Sequence, residues 1–348
     1  MTEEWIENAR MMVDSARAVV PGDGSVERVR KTRFQGAGFD REVMRQVAEL
    51  GFFLIRVEED EGGFGLGMRE TCELMRVLGG GLLPEPVLSS MMSGALLQSA
   101  LPETVRTGEE VIVMAWQDQT GSLSWAGGAR GGTIDGHKVN VPGAEGADLF
   151  AVITSNGVAL VPRDAAGLAV TGAETLDGGR IGSLSFASVD VEFLPCERIK
   201  EVLEDATLGH SAYLMGLAER ALDITLDYLR MRKQFGQPIG SFQSLQHRAT
   251  EMKIQLELSR AAIFATARRF DTGADPMTRA QSVARCKLRA AQMTMLVMRE
   301  AVQMHGAMGI TDEADIGLYV RKAMTEVNFF GPPRVHRQIL ANLLEDAS

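Results

Sequence analysis

The stretch RMRKQFGQPIGSFQ, Arg230 to Gln243, decides how this chain is read. Upstream of it, Leu214, Leu217, Ala221, Ile224 and Tyr228 recur at steps of three and four, one face of a long helix. Arg230, Arg232 and Lys233 cluster at that helix's C-terminal end, and Gly236, Pro238 and Gly240 break it. Ser241 is placed to cap a following helix that carries Leu245, Met252, Leu256 and Ile263. Two readings of the cations stand. They complement a helix macrodipole, or Arg232 makes an anion site. Its planar fork can grip a phosphate bidentately, with the Gln243 amide opposite. Residue types alone do not choose between the two.

Outward from that stretch, composition narrows the field. A chain of 348 residues favours two or three domains with ample core. Hydrophobic residues make up 45%, ordinary for a globular chain, and the net charge of −10 argues against a general nucleic-acid surface. Cys72, Cys196 and Cys286 are far apart and odd in number, which fits free thiols in a reducing cytosol. No apolar run reaches membrane-spanning length, and the start MTEEWIEN is acidic, unlike a signal peptide. A cytoplasmic protein is expected. The five histidines are scattered without metal-ligand spacing, so no metal site is expected.

In chain order the first part reads as helical. Val43, Val47, Leu50 and Leu54 form one stripe, and Cys72, Met75 and Leu78 another. EPVLSSMMSGALLQSAL, Glu85 to Leu101, is apolar nearly all round, which predicts a buried helix. Glycine runs at 62–67 and 79–81 read as turns. Near residue 110 the period changes. VIVMAW, LFAVIT, GVALVP and SLSFASVDVEFL are short β-rich runs split by Gly, Asp and Pro, a small sheet or barrel. After LPCERI the long helices return. The third, from about Met277 to His305, carries a Met stripe that reads as core.

GLAERALDITLDYLRMRKQFGQPIGSFQSLQH, Gly216 to His247, resembles the flavin-dependent acyl-CoA dehydrogenase family. That family has an R-x-x-F-G turn followed by a Gln, matched by Arg232, Phe235, Gly236 and Gln243. A second family segment, Q-x-x-G-G-x-G, is nearly matched by QMHGAMG, Gln303 to Gly309, and EDEGGFGLG, Glu59 to Gly67, resembles a glycine-rich N-terminal turn. The similarity is strong in the last third, fair at the start and poor in the middle. It implies an α+β fold of three parts: an N-terminal α-helical domain over 1–109, a small β-domain over 110–197 and a C-terminal four-helix bundle over 198–348.

The family oxidises the Cα–Cβ bond of an acyl-CoA thioester. A carboxylate takes the weakly acidic α-proton while hydride leaves for the flavin. Family members place that base in one of two spots. The first is the Glu of a Y-E-G-T segment, matched here by Phe329-Phe330-Gly331-Pro332, so Phe330 stands at the carboxylate position. The second lies twenty-six residues before the R-x-x-F-G Arg and holds Ala206. Neither side chain accepts a proton. Glu204 and Asp205 lie beside Ala206. They read as a solvated acidic turn at a helix N-terminus, or as a base displaced by a one- or two-residue slip.

The flavin contacts divide the same way. In the family one subunit holds the ring through β-domain segments resembling T-E-P-x-x-G-S-D and W-x-T, plus the G-T of the Y-E-G-T turn. The neighbouring subunit lends the Arg, the later Gln and the Q-x-x-G-G loop to the diphosphate and adenine. Here WQDQTGSL, Trp116 to Leu123, keeps only Gly121 and Ser122. The W-x-T position reads Asn140-Val141-Pro142, and Pro332 follows Gly331. Asn140 cannot stack like an indole, and Pro142 lacks a donor. The lent set is nearly complete: Arg232, Phe235, Gln243, Gln303 and Gly306, with Ala307 for the second Gly. The pattern resembles the non-catalytic partner subunit of two-plus-two heterotetrameric dehydrogenases of steroid side-chain breakdown. It implies FAD shared with a homologous catalytic subunit, an acyl-CoA substrate and electron transfer to an electron-transferring flavoprotein. Two other readings remain open: a self-sufficient homotetrameric dehydrogenase with another base, and a non-enzymatic assembly protein of the same fold.

Overall fold

The changes of hydrophobic period become helices, then strands, then helices in the computed structural model, which describes residues 2–22 and 24–345. The expected outer limits of the first and last domains, residues 1 and 348, lie outside the described residues. The first helices are α1 (Thr2–Ala16), α2 (Glu27–Thr32), α3 (Arg41–Glu49), α4 (Met68–Gly80), α5 (Val87–Leu97) and α6 (Glu103–Arg106). Strands follow: β1 (Ile112–Ala115), β2 (Ala129–Arg130), β3 (Thr133–Pro142), β4 (Leu149–Thr154), β5 (Gly157–Pro162), β6 (Leu168–Glu174), β7 (Arg180–Asp190) and β8 (Phe193–Leu194). Then come α7 (Ile199–Met231), the hairpin strands β9 (Lys233–Gln234) and β10 (Gln237–Pro238), α8 (Gln243–Asp271), α9 (Pro276–His305), α10 (Ile316–Glu326) and α11 (Pro333–Glu345). The fold is α+β, as the sequence implies.

One unit is built from Glu27–Gly67 and Pro84–Thr207. Its strands form two four-stranded sheets, ordered β1-β4-β5-β8 and β2-β3-β7-β6, where the sequence suggested one small sheet or barrel. β1 pairs with β4 in parallel, and every residue of both is buried. That is why VIVMAW and LFAVIT read as continuous apolar runs. β6 carries no such signal, because none of its residues is buried. α5 is buried at every position. Its serines work on the free edge of β1: Ser90 Oγ donates to the Ile112 carbonyl, and the Met114 N–H donates to Ser89 Oγ at 2.7 Å. A helix thus covers a sheet edge and satisfies its outward backbone groups.

The other unit gathers the segment ending at Val26, Met68–Leu83 and the chain from Leu208 onward. α9 packs against α8, α10 and α11, and α4 packs against α1 and α8. Gly79 and Gly80 close α4, so the turn expected at 79–81 begins only at Gly81. A Cβ on Gly79 would strike the Tyr213 carbonyl, and one on Gly216 would strike the Arg76 carbonyl. These two glycines let the α4 and α7 backbones touch. Glu219 of α7 pairs with Arg76 of α4 at 3.1 Å and with Arg260 of α8, which joins three helices. The N-terminus of α4 is capped from far away. Asp271, the last residue of α8, accepts the Met68 N–H at 2.5 Å and pairs with Arg69 at 2.8 Å. α8 starts at Gln243, and Ser241 does not cap it: Ser241 lies in the preceding 3₁₀ turn, where its hydroxyl donates to the Pro238 carbonyl at 2.7 Å. No helix among the described residues is long and apolar enough to cross a membrane.

Candidate functional site

The R-x-x-F-G turn is a tight hairpin. Gln234 pairs with Gln237, which leaves Phe235 and Gly236 as the two loop residues. Both have positive φ, +52° and +79°. This is the type I′ pattern, whose twist suits a two-residue hairpin. Gly236 adopts it freely, whereas Phe235 is strained. Phe235 is also 91% exposed, with its ring edge-on to Phe242 at 6.1 Å. A large apolar side chain held outward on a strained backbone contributes little to its own core.

Arg232 sits where α7 meets the hairpin. Its N–H still donates to the Tyr228 carbonyl at 2.8 Å, and its carbonyl accepts from Ile239 at 2.8 Å. The guanidinium is exposed and makes no hydrogen bond or ion pair among the described residues. Arg230 differs, since it pairs with Asp227 at 2.8 Å. Gln243, the first residue of α8, is exposed as well.

One contact draws the second motif to the first. The Tyr228 ring, one turn before Arg232, stacks on His305 at 4.4 Å, and its hydroxyl donates to the His305 carbonyl at 3.4 Å. His305 ends α9 and is flanked by Gln303, Gly306 and Ala307, all three exposed. The ends of α7 and α9 therefore meet at Tyr228 and His305. Gly306 has φ +61° with nothing near the place of a Cβ, so its need for glycine is conformational.

The segment that matches Y-E-G-T is a turn with positive φ at Phe330 (+54°) and Gly331 (+96°). Three buried side chains from three helices grip carbonyls of this turn and of the helix end just before it. His210 Nε2 donates to Glu326 O at 3.0 Å, Lys287 Nζ to Val327 O at 2.8 Å and His336 Nε2 to Phe330 O at 2.8 Å. Burial pushes Lys287 down to about 7 and His336 down to about 4. It drives His210 well below the usual imidazole range, with the Lys287 charge adding to the effect. Both imidazoles are neutral at pH 7, with the Nε2 proton fixed by a carbonyl. Among the described residues His336 Nδ1 has no hydrogen-bond partner. The Phe330 ring lies 5.4 Å from His210. This cluster escaped the sequence reading. Its one signal is phase: Lys287 falls in step with buried Val283, Ala290, Thr294 and Val297 of α9.

Ala206, at the second base position, is fully buried. Glu204 and Asp205 are 9% and 4% exposed, so they are not the solvated acidic turn expected from sequence. α7 begins at Ile199, which puts both beyond its first turn. Asp205 accepts from Arg56 at 2.8 Å, and Arg56 also donates to the Leu66 carbonyl.

In the β-domain the polar groups are engaged with one another. Asn140 sits at a register shift of β3 with φ +55°, and its amide donates to Gln117 Oε1 at 2.9 Å. Gln117 donates in turn to the Ser122 carbonyl at 2.7 Å. Lys138, 1% exposed, pairs with Asp118 at 2.5 Å and donates to the carbonyls of Trp116, Trp125 and Gly127. The loop that would carry ring contacts is stitched to its own sheet. Among the described residues no group of three or more His, Cys, Asp or Glu is placed to hold a metal.

The family model described as "Acyl-CoA dehydrogenase, C-terminal domain" matches residues 196–344, and "Acyl-CoA dehydrogenase, N-terminal domain" matches 6–103. The chain is 30% identical to the acyl-CoA dehydrogenase IpdE2 of Mycolicibacterium smegmatis, over 94% of this chain and 96% of that one. Among solved structures it is similar to the ChsE4-ChsE5 complex from Mycobacterium tuberculosis, with 26% identity, 98% of each chain covered and a TM-score of 0.86. It shares its fold with the Tcur3481-Tcur3483 steroid ACAD G363A variant, at 23% identity, 99% of each chain and a TM-score of 0.86.

Proposed function

The chain belongs to the acyl-CoA dehydrogenase family of flavin-dependent oxidoreductases, and from that premise we propose that it is the partner subunit of a heteromeric enzyme. In this reading it completes the FAD site of a homologous catalytic subunit and abstracts no proton itself. The observation that carries it is an asymmetry. On the bundle, Arg232 keeps an exposed guanidinium without a partner among the described residues, and Phe235, Gln303 and Gly306 are exposed as well. In one unit of its own chain Phe330 takes the base position of the family pattern, and in the other Asn140 is bonded to Gln117.

Each residue then has a physical role. Arg232 neutralises a diphosphate with two parallel N–H donors. Gln243 and Gln303 offer neutral amide contacts. Gly306 and Ala307 allow close backbone approach, and Phe235 supplies an apolar surface. The bound flavin supplies hydride acceptance, and the α-proton goes to a carboxylate of the other subunit. The names of two solved neighbours, a two-protein complex and a steroid dehydrogenase, support a homologous partner and a steroid side-chain CoA thioester as substrate. Reoxidation falls to an electron-transferring flavoprotein.

The test is Arg232→Ala in this chain, co-expressed with a catalytic homologue and isolated as intact complex. A charge-assisted contact of about 1.5–3 kcal/mol corresponds to a loss of tenfold or more in flavin affinity. Full, tightly held flavin in that variant complex refutes the reading. Lowered melting temperature with unchanged flavin content would make Arg232 a helix-capping residue only.

A further inference from the structure

α7 and α9 each run out into a loop with little packing of its own. Every residue from Met231 to Pro238 is exposed, and so are Gly306, Ala307, Met308 and Ile310 in the 3₁₀ turn that follows α9. Segments so lightly buried open readily unless something ties them down. Tyr228 is placed to tie both. Its carbonyl accepts the Arg232 N–H at 2.8 Å, where α7 ends. Its ring lies on the His305 ring, 4.4 Å between centroids and 22° from parallel. Its hydroxyl reaches the His305 carbonyl at 3.4 Å, one of the last carbonyls of α9, which a helix end leaves without an intrahelical partner.

His305 is itself fixed. Its Nδ1 donates to the Ala301 carbonyl at 2.8 Å, one turn back along α9. That bond selects the tautomer, and burial keeps the ring neutral by lowering its pKa. The next residue, Gly306, donates its N–H to the Val302 and Gln303 carbonyls. One aromatic pair thus links, bond by bond, the Arg232 backbone to the Gln303–Gly306 backbone. Tyr228 is only half-buried, at the surface end of its helix, which suits a tie between loops better than a core packing role.

We propose that the Tyr228–His305 pair is a positioning strut. It sets the offset between the Arg232 guanidinium and the Gln303–Ala307 loop so that one dinucleotide engages both. The inference rests on the flavin reading above and adds two residues that act through others. Its physical basis is preorganisation: a long, flexible arginine finds a diphosphate at less entropic cost when its backbone is already held in register with the second set of contacts.

Two measurements test it. The first is amide hydrogen exchange on the chain alone. Tyr228→Leu removes ring and hydroxyl, and should speed exchange over both 231–240 and 303–311 about fivefold or more, with the melting temperature little changed. Tyr228→Phe keeps the stack and should stay within about threefold of wild type, because a hydroxyl contact at 3.4 Å is long. The second is flavin affinity in the intact complex with a catalytic homologue. Tyr228→Leu should weaken it about fivefold or more, and Tyr228→Phe should keep most of it. Tyr228→Leu added to Arg232→Ala should cost less than about twofold further, since the strut acts mainly by aiming Arg232. Unchanged exchange in either loop overturns the strut. So does unchanged flavin affinity in the Tyr228→Leu complex while Arg232→Ala lowers it, and in both cases the flavin reading stands. Fully additive losses would make Tyr228 a stabilising residue only and also overturn it. Full flavin in the Arg232→Ala complex refutes the flavin reading, and the strut with it.

Discussion

A planar cation exposed at a helix end, with no partner among the described residues, has a value set by what it meets elsewhere. Arg232 is such a group, and Arg232→Lys keeps the charge while losing the fork. Flavin titration of the complex should therefore place Arg232→Lys between wild type and Arg232→Ala. Gln243→Ala should be milder than either, since a neutral amide contact contributes about 0.5–1.5 kcal/mol. At Phe330 the expectation is negative. Phe330→Glu restores a carboxylate but leaves Asn140 bonded to Gln117 and Pro142 without a donor. Stopped assays with an artificial electron acceptor should show no acyl-CoA oxidation by that single variant. His336 governs an acid limb. Its folded value is about 4 against an ordinary 6.5, so between those values the unfolded chain binds more protons. Stability is then full above about pH 6.5 and lost as pH falls toward 4. His336→Gln can still donate to the Phe330 carbonyl and does not titrate, so its melting temperature should fall less steeply over that window. The R-x-x-F-G residues were readable because their types and spacing are local. Lys287, His210 and His336 were not, because what unites them is a set of carbonyls on one turn and the helix end just before it, reached from three helices.

At the level of elements, amphipathic period carried the reading where one face is buried and failed where it is not. α9 was expected from about Met277 to His305 and spans Pro276–His305. β6, with no buried residue, left no trace in the sequence. The glycines at 79–81 read as a turn because glycine breaks helices on average, yet the turn begins only at Gly81. Here close packing against α7 overrides propensity. That crossing gives a sharp prediction. Gly216→Ala drives a methyl into the Arg76 carbonyl, and the overpacking should cost about 1–3 kcal/mol in denaturant unfolding. Ala is otherwise the better helix former, so a stabilised variant would show that the α4–α7 contact is looser than described. Ser241 failed as a cap for a simpler reason: the 3₁₀ turn before α8 already uses its hydroxyl.

For the whole molecule, colour is the plainest measurement. The chain purified alone should be colourless, and co-expression with a catalytic homologue should give a flavin spectrum. Stoichiometric flavin in the lone chain would instead support a self-sufficient enzyme. The architecture could be read from the sequence because long periodic helices bracket a run of short strands. How the segments regroup could not. One unit draws on the chain's beginning, on Met68–Leu83 and on everything from Leu208, and no local signal announces partners so far apart. The cap on α4 shows what that implies for biosynthesis. Its carboxylate, Asp271, is made 203 residues after the Met68 it caps. On the ribosome the Met68 amide must therefore wait for this cap until all of α8 has left the exit tunnel. The unit completed by Thr207 has no such wait, and the order of translation gives it the head start.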